Sequence, residues 1–231
     1  MFQENQEPNT QFENQESPKS EKEILWDKKA REIDGIEDRL RHSIDPLVKE
    51  TVIALNLSDL PTIDSCEGHL DWGTSAPWIG IEASNRPKYR FNKEKEVFEV
   101  IAVKYKVPLE QVIDGDNFEA WSEAYVKSSE NGETEEYQKW RETNQPFREK
   151  MGKLLAEFYE TKNAPENVRL TISDTAEGGF KIWNGGEDYR PAKKAWESMN
   201  DTEKQALQER LKTYQQEMQD FGRFLKEKFF S

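Results

Sequence analysis

The run Ser65-Cys66-Glu67-Gly68-His69 places the one cysteine of the chain three positions from one of its two histidines. A turn across that spacing brings thiol and imidazole together, and the pair admits several kinds of chemistry. As a nucleophile, Cys66 needs its pKa lowered by a protonated His69, with Glu67 as a further acid–base candidate. As a metal half-site, Cys-x-x-His supplies two ligands and needs others from His42, Asp64, Asp71 or Glu82. As structure, Cys66 is a small buried hydrophobe, while Glu67 and His69 hold the loop. Noncovalent contact with a small molecule, through Cys66, Glu67, His69 and Asp71, is the functional reading these residue types favour. They specify neither a cofactor nor a catalytic step.

Glycine and tryptophan gather around the same residues. Seven of the twelve glycines fall in two windows, at Gly68, Gly73 and Gly80 and at Gly178, Gly179, Gly185 and Gly186. Trp72, Trp78 and Trp183 lie there too. Glycine permits close backbone approach, and tryptophan supplies a flat binding wall. The expected cleft lies between the loop 67–77 and the segment 184–190. Cys66, Glu67, His69 and Asp71 form its polar floor, with Trp72 or Trp78 as its wall. Glu187, Asp188, Tyr189 and Arg190 face it from the other side.

Strands must carry these windows. Thr62–Cys66 and 78–83 are rich in β-formers, and the eleven residues between them are far more than the ~2–5 of a tight hairpin. A second pair follows, in which Val168, Leu170 and Ile172 alternate, 174–179 turns, and Phe180 and Ile182 alternate again. Ahead of the first strand, Asp45 is placed to cap a helix that opens on Pro46 and carries Val48, Val52 and Leu55. Ile33, Ile36 and Leu40 mark an earlier helix. Residues 92–162 read as a polar helical insertion, in which Pro146 either kinks a helix or begins one. From 191 to 231 the chain is helical. Asn200 and Glu203 resemble a capping box, and Leu207, Leu211, Tyr214, Met218, Phe221 and Leu225 follow heptad spacing. Packing against the chain's own helices is the expected use of that stripe.

Composition bounds the rest. In 231 residues, 34% are hydrophobic and 34% charged, and the net charge of −13 counts against nucleic acid as a partner. No apolar run is long enough for a membrane helix, so no membrane partner is expected. One cysteine rules out an intrachain disulfide and fits a reducing, cytoplasmic setting. Residues 1–23 hold six Glu, two Lys and only Met1, Phe2 and Phe12 as apolar side chains, which reads as a disordered acidic tail. A single domain over 24–231 is expected, as a monomer or weak homo-oligomer with a small molecule as its partner.

The run from Asp45-Pro46 through Ala54-Leu55-Asn56, Pro61-Thr62, Ser65–His69 and Ala76-Pro77-Trp78 resembles a group of uncharacterised bacterial proteins. These carry a helix followed by S-C-E-G-H, and the likeness extends to 184–189. A more distant likeness is to the wybutosine-synthesising transfer-RNA methyltransferase, whose strand ends in S-S-C-S-G-R. Ser65, Cys66 and Gly68 agree with it, and His69 stands where that family has arginine. This second likeness implies an RNA-modifying enzyme, and the heptad face implies a protein-interaction module; both are alternatives to the ligand-binding reading. The expected fold class is α+β, with a small, mostly antiparallel sheet of about four strands covered by helices.

Overall fold

A computed structural model describes residues 19–37, 41–186, 188 and 196–231. Helix α1 (Glu21–Asp34) opens on a reciprocal cap, in which the Ser20 hydroxyl accepts from Glu23 N–H and the Glu23 carboxylate accepts from Ser20 N–H. Helical order therefore begins inside the span read as tail, three residues before Ile24; residues 1–18 lie outside the described residues. Gly35 closes this helix and Ile33 is its buried anchor, whereas Ile36 lies beyond its end and Leu40 outside the described residues. Helix α2 (Pro46–Leu57) is buried almost all round, at Val48 and from Thr51 to Leu55. Its apolar stripe is wider than the spacing of valine and leucine alone suggests.

Strands β1 (Thr62–Cys66) and β2 (Trp78–Ile81) form the first antiparallel pair. The second strand ends before Glu82 and Ala83, because Ala83 directs its N–H to Asn144 and its carbonyl to the Trp140 indole. Helices α3 (Glu94–Tyr105), α4 (Leu109–Ile113), α5 (Phe118–Ser129), α6 (Glu135–Glu142) and α7 (Gln145–Thr161) follow. Pro146 lies in the first turn of α7 and begins a helix, since a missing N–H costs nothing there. Strands β3 (Leu170–Asp174) and β4 (Phe180–Asn184) complete a four-stranded antiparallel sheet in the order β1-β2-β4-β3. Helix α8 (Asp201–Phe230) ends the chain, opening on the Asn200/Glu203 capping box. The protein is thus α+β. Among the described residues no helix is long and apolar enough to cross a membrane.

The main core joins α2, α7 and α8 to one face of the sheet through Val52, Leu55, Phe158, Ile182, Met218 and Phe221. Within the span read as insertion, α3, α4 and α5 share a small core around Phe98, Ile101 and Val112, while α7 belongs to the main one. All six heptad positions of α8 are buried. Its chief helical neighbour is α2, and the Thr51 hydroxyl donates to Met218 C=O across that contact. One buried charge crosses the same layer. The Glu217 carboxylate accepts from Tyr159 Oη at 2.8 Å and from Lys162 Nζ at 2.6 Å, and Lys162 also reaches Asp220.

Two outcomes follow from this packing. Leu211→Ala is expected to lower the unfolding free energy by ~2–5 kcal/mol in urea denaturation, with no change of mass in light scattering. Burial pulls the Lys162 ammonium down, but its bonds to Asp220 and Glu217 outweigh that and hold it above 10.5. Its stabilising effect is therefore complete below that value and is lost as pH rises through the raised pKa. The gap in urea midpoint between the wild type and Lys162→Met should accordingly stay constant from about pH 8 to about pH 10 and shrink only as the pH is raised past 10.5.

Candidate functional site

Helix and strand lengths bring the site together. Twelve residues of α2 rise about 18 Å, and the five of β1 return about 17 Å, so the helix start and the strand end come level. There the expected cap is replaced by an exchange. Asp45 occupies the capping position but makes no side-chain cap bond; its Oδ2 accepts from Glu67 N–H at 3.0 Å. Glu67 Oε2 in turn accepts from Leu47 N–H at 3.0 Å. A loop carboxylate thus caps α2, where negative charge suits the positive end of the helix.

The rest of the long loop is strapped down. His69 N–H donates to Thr74 C=O at 2.7 Å, and Gln215 of α8 donates to the carbonyls of Glu67 and Gly68. Trp78 Nε1–H donates to the Thr74 hydroxyl, which donates to Ala76 C=O. Gly68 has φ +82°, and a Cβ there would lie 2.7 Å from a Leu211 methyl and 2.9 Å from the Ala76 carbonyl carbon. The eleven-residue connection is therefore a fixed platform between α2 and α8.

On it, donor atoms of Asp45, Cys66 and His69 lie within 4.8 Å of one another. His69 Nε2 stands 3.4 Å from Asp45 Oδ2, yet is buried and makes no hydrogen bond. Its ring stacks on Trp72, with centroids 3.6 Å apart. Cys66 Sγ is buried and accepts from Gly68 N–H at 3.3 Å. Burial pushes the Cys66 thiol up; the Gly68 and Thr74 bonds draw it down by less, and the Asp45 charge adds to the rise. A thiol pushed up in this way runs against the activated nucleophile, which needs its pKa lowered.

Asp45 and Cys66 open onto a cleft of about 420 Å³, whose apolar lining includes Ile44, Val52, Trp72 and Trp78. His42 and Asp64 also line it. Burial raises the Asp64 carboxyl, whose side chain crosses where Gly80 would carry a Cβ, so a larger residue there would displace it. Among the described residues the cleft is bounded by Ile36, Glu37 and residues 42–45, and not by residues 184–186 or Asp188 as the sequence suggests. The reason is visible at Asp188, which is buried and bound by Arg210 at 2.7 and 3.0 Å and by Tyr214 Oη at 3.0 Å. Glu187, Tyr189 and Arg190 lie outside the described residues.

Of the remaining expected site residues, Trp72 and Trp78 stand on the wall and His69 packs behind Trp72. Glu67 turns to α2 instead of the cleft, and Asp71 is exposed and away from the lining. Glu82 is buried beside Arg86, outside the cluster. Asp45 is the residue that sequence reasoning assigned to the wrong task. The chain matches no protein-family model, no curated protein and no solved structure. Geometry alone must carry the functional reading.

If Glu67 is the cap, Glu67→Ala should destabilise the protein by about 1–2 kcal/mol, while Glu67→Gln, which keeps an acceptor, recovers most of that. Thermal unfolding of the two variants beside the wild type checks this, and equal losses would speak against the cap.

Proposed function

We propose that the cleft beside Cys66 binds a small molecule with an apolar body and a polar head. The observation that carries this reading is the union of an apolar cavity with a rigid cluster of polar donors at one wall. A volume of about 420 Å³ lies within the range of small-ligand sites, which are mostly apolar with a few convergent polar groups. Trp72 is 52% exposed although its ring stacks on His69, so a broad aromatic surface faces the solvent beside the opening. The α8 stripe is buried within the chain, which leaves the interaction-module alternative without the face it needs. Net charge of −13 likewise speaks for a small molecule over nucleic acid.

Native mass spectrometry of the purified protein should reveal a retained small molecule. Titration with phenylacetate, indole-3-acetate and tryptamine, followed by tryptophan fluorescence, should give saturable binding of at least one. Ser43 is exposed on the cleft wall, so Ser43→Phe is tolerated by the fold and narrows the opening. It is expected to weaken that binding at least tenfold. A wild-type protein that carries no small molecule and gives no saturable response across the series would overturn the reading.

A further inference from the structure

We propose that Asp45, Cys66 and His69 form a binding site for a divalent transition metal of the zinc class, with an open coordination position on the cleft. The inference deepens the ligand-site reading and rests on it for what fills that open position. Three different donors converge here: a carboxylate oxygen, a sulfur and an imidazole nitrogen, all within 4.8 Å. Tetrahedral zinc holds such donors roughly 3.3–3.8 Å apart. The 3.4 Å between His69 Nε2 and Asp45 Oδ2 already has that spacing, and Cys66 Sγ, within 4.8 Å of both, closes on the ion by moving inward. Thiolate with imidazole selects zinc-like metals over magnesium or calcium, which prefer oxygen. A thiolate and a carboxylate beside a neutral imidazole also cancel a divalent charge.

The surroundings fit the same assignment. A buried ring nitrogen without a hydrogen bond needs an explanation, and coordination supplies one for His69. Each donor is oriented from outside. Glu67 N–H holds Asp45, Gly68 N–H holds Cys66, and Trp72 stacks flat on His69. Such outer contacts fix first ligands in metal sites. Three protein ligands leave one tetrahedral position, and Asp45 and Cys66 both line the cleft, so that position faces it. The chemical class expected there is a Lewis-basic head, a carboxylate or a thiol, on an apolar body.

Cobalt(II) titration of the metal-stripped full chain tests this. One equivalent should produce tetrahedral visible bands and a near-ultraviolet thiolate-to-cobalt charge-transfer band, both displaced by zinc. Cys66→Ser should abolish the charge-transfer band. Asp45→Asn and His69→Gln should weaken cobalt binding at least tenfold, while Asp71→Asn, at an exposed residue outside the cluster, leaves it unchanged. Circular dichroism confirms that each variant is folded. Phenylacetate should perturb the visible bands and bind at least tenfold tighter to the cobalt form than to protein in chelator. No stoichiometric absorption, or a spectrum unaltered in Cys66→Ser, would overturn the metal site. Saturable phenylacetate binding in chelator without any cobalt spectrum would leave the cleft standing and the metal refuted. A cobalt spectrum indifferent to every probe would support the metal and count against the ligand cleft.

Discussion

The exchange between Asp45 and Glu67 is the constraint on which the rest of the site depends. Each residue meets a backbone donor belonging to the other's segment: Asp45 accepts from Glu67 N–H, and Glu67 accepts from Leu47 N–H. The two bonds tie the start of α2 to the chain leaving β1. Without them, a loop of eleven residues containing two glycines would have many conformations, and the entropy of ordering it would have to be met elsewhere. With them, and with Gln215 holding the same loop from α8, Cys66 and His69 are presented from a platform whose supports are helices. Charged bonds of this kind are stronger than neutral ones, and half-burial screens them less than surface pairs.

Periodic features were legible because each residue in them casts the same vote. The heptad stripe of α8, the alternation of Phe180 and Ile182 in β4 and the Asn200/Glu203 box all read correctly, whereas Val168 lies before β3, which begins at Leu170. Features that depend on a choice between equal partners were not legible. Asp45 before Pro46 has the form of a helix cap, and local sequence cannot reveal that a carboxylate twenty-two positions later takes the role. A signal did exist in the matched lengths of helix and strand, which return the chain to its starting level. Asp188 failed for the converse reason. An acidic residue after a glycine pair looks like a site residue, yet its partners Arg210 and Tyr214 lie on a helix that sequence spacing does not connect to it.

Charge explains why so much of this chain is solvated while the site is not. Surface pairs between helices, such as Lys104–Glu123 and Lys228–Glu157, contribute little individually but keep the surface polar. Of the buried carboxylates, Glu82 lies beside Arg86, and two are bound at α8: Glu217 to Lys162 and Tyr159, and Asp188 to Arg210 and Tyr214. Both pairs fasten α8 to neighbouring segments, so the helix is fixed in register as well as packed. That register matters for the cleft, because Leu211 and Gln215 are the α8 residues that bear on Gly68 and its carbonyl.

The division of labour at the head of α2 then accounts for why two carboxylates occur where one would cap the helix. Were Asp45 to bond Leu47 N–H itself, its oxygens would turn along the helix axis and away from His69. Were Glu67 absent, the open donors of the first turn would draw Asp45 into that position, since an unsatisfied helix end is costly. Glu67 therefore acts as a positioning residue. By satisfying the helix from outside, it leaves an Asp45 oxygen directed at the imidazole and open to the cleft. The donor set of the candidate centre is, on this argument, a consequence of how the first turn of α2 is capped.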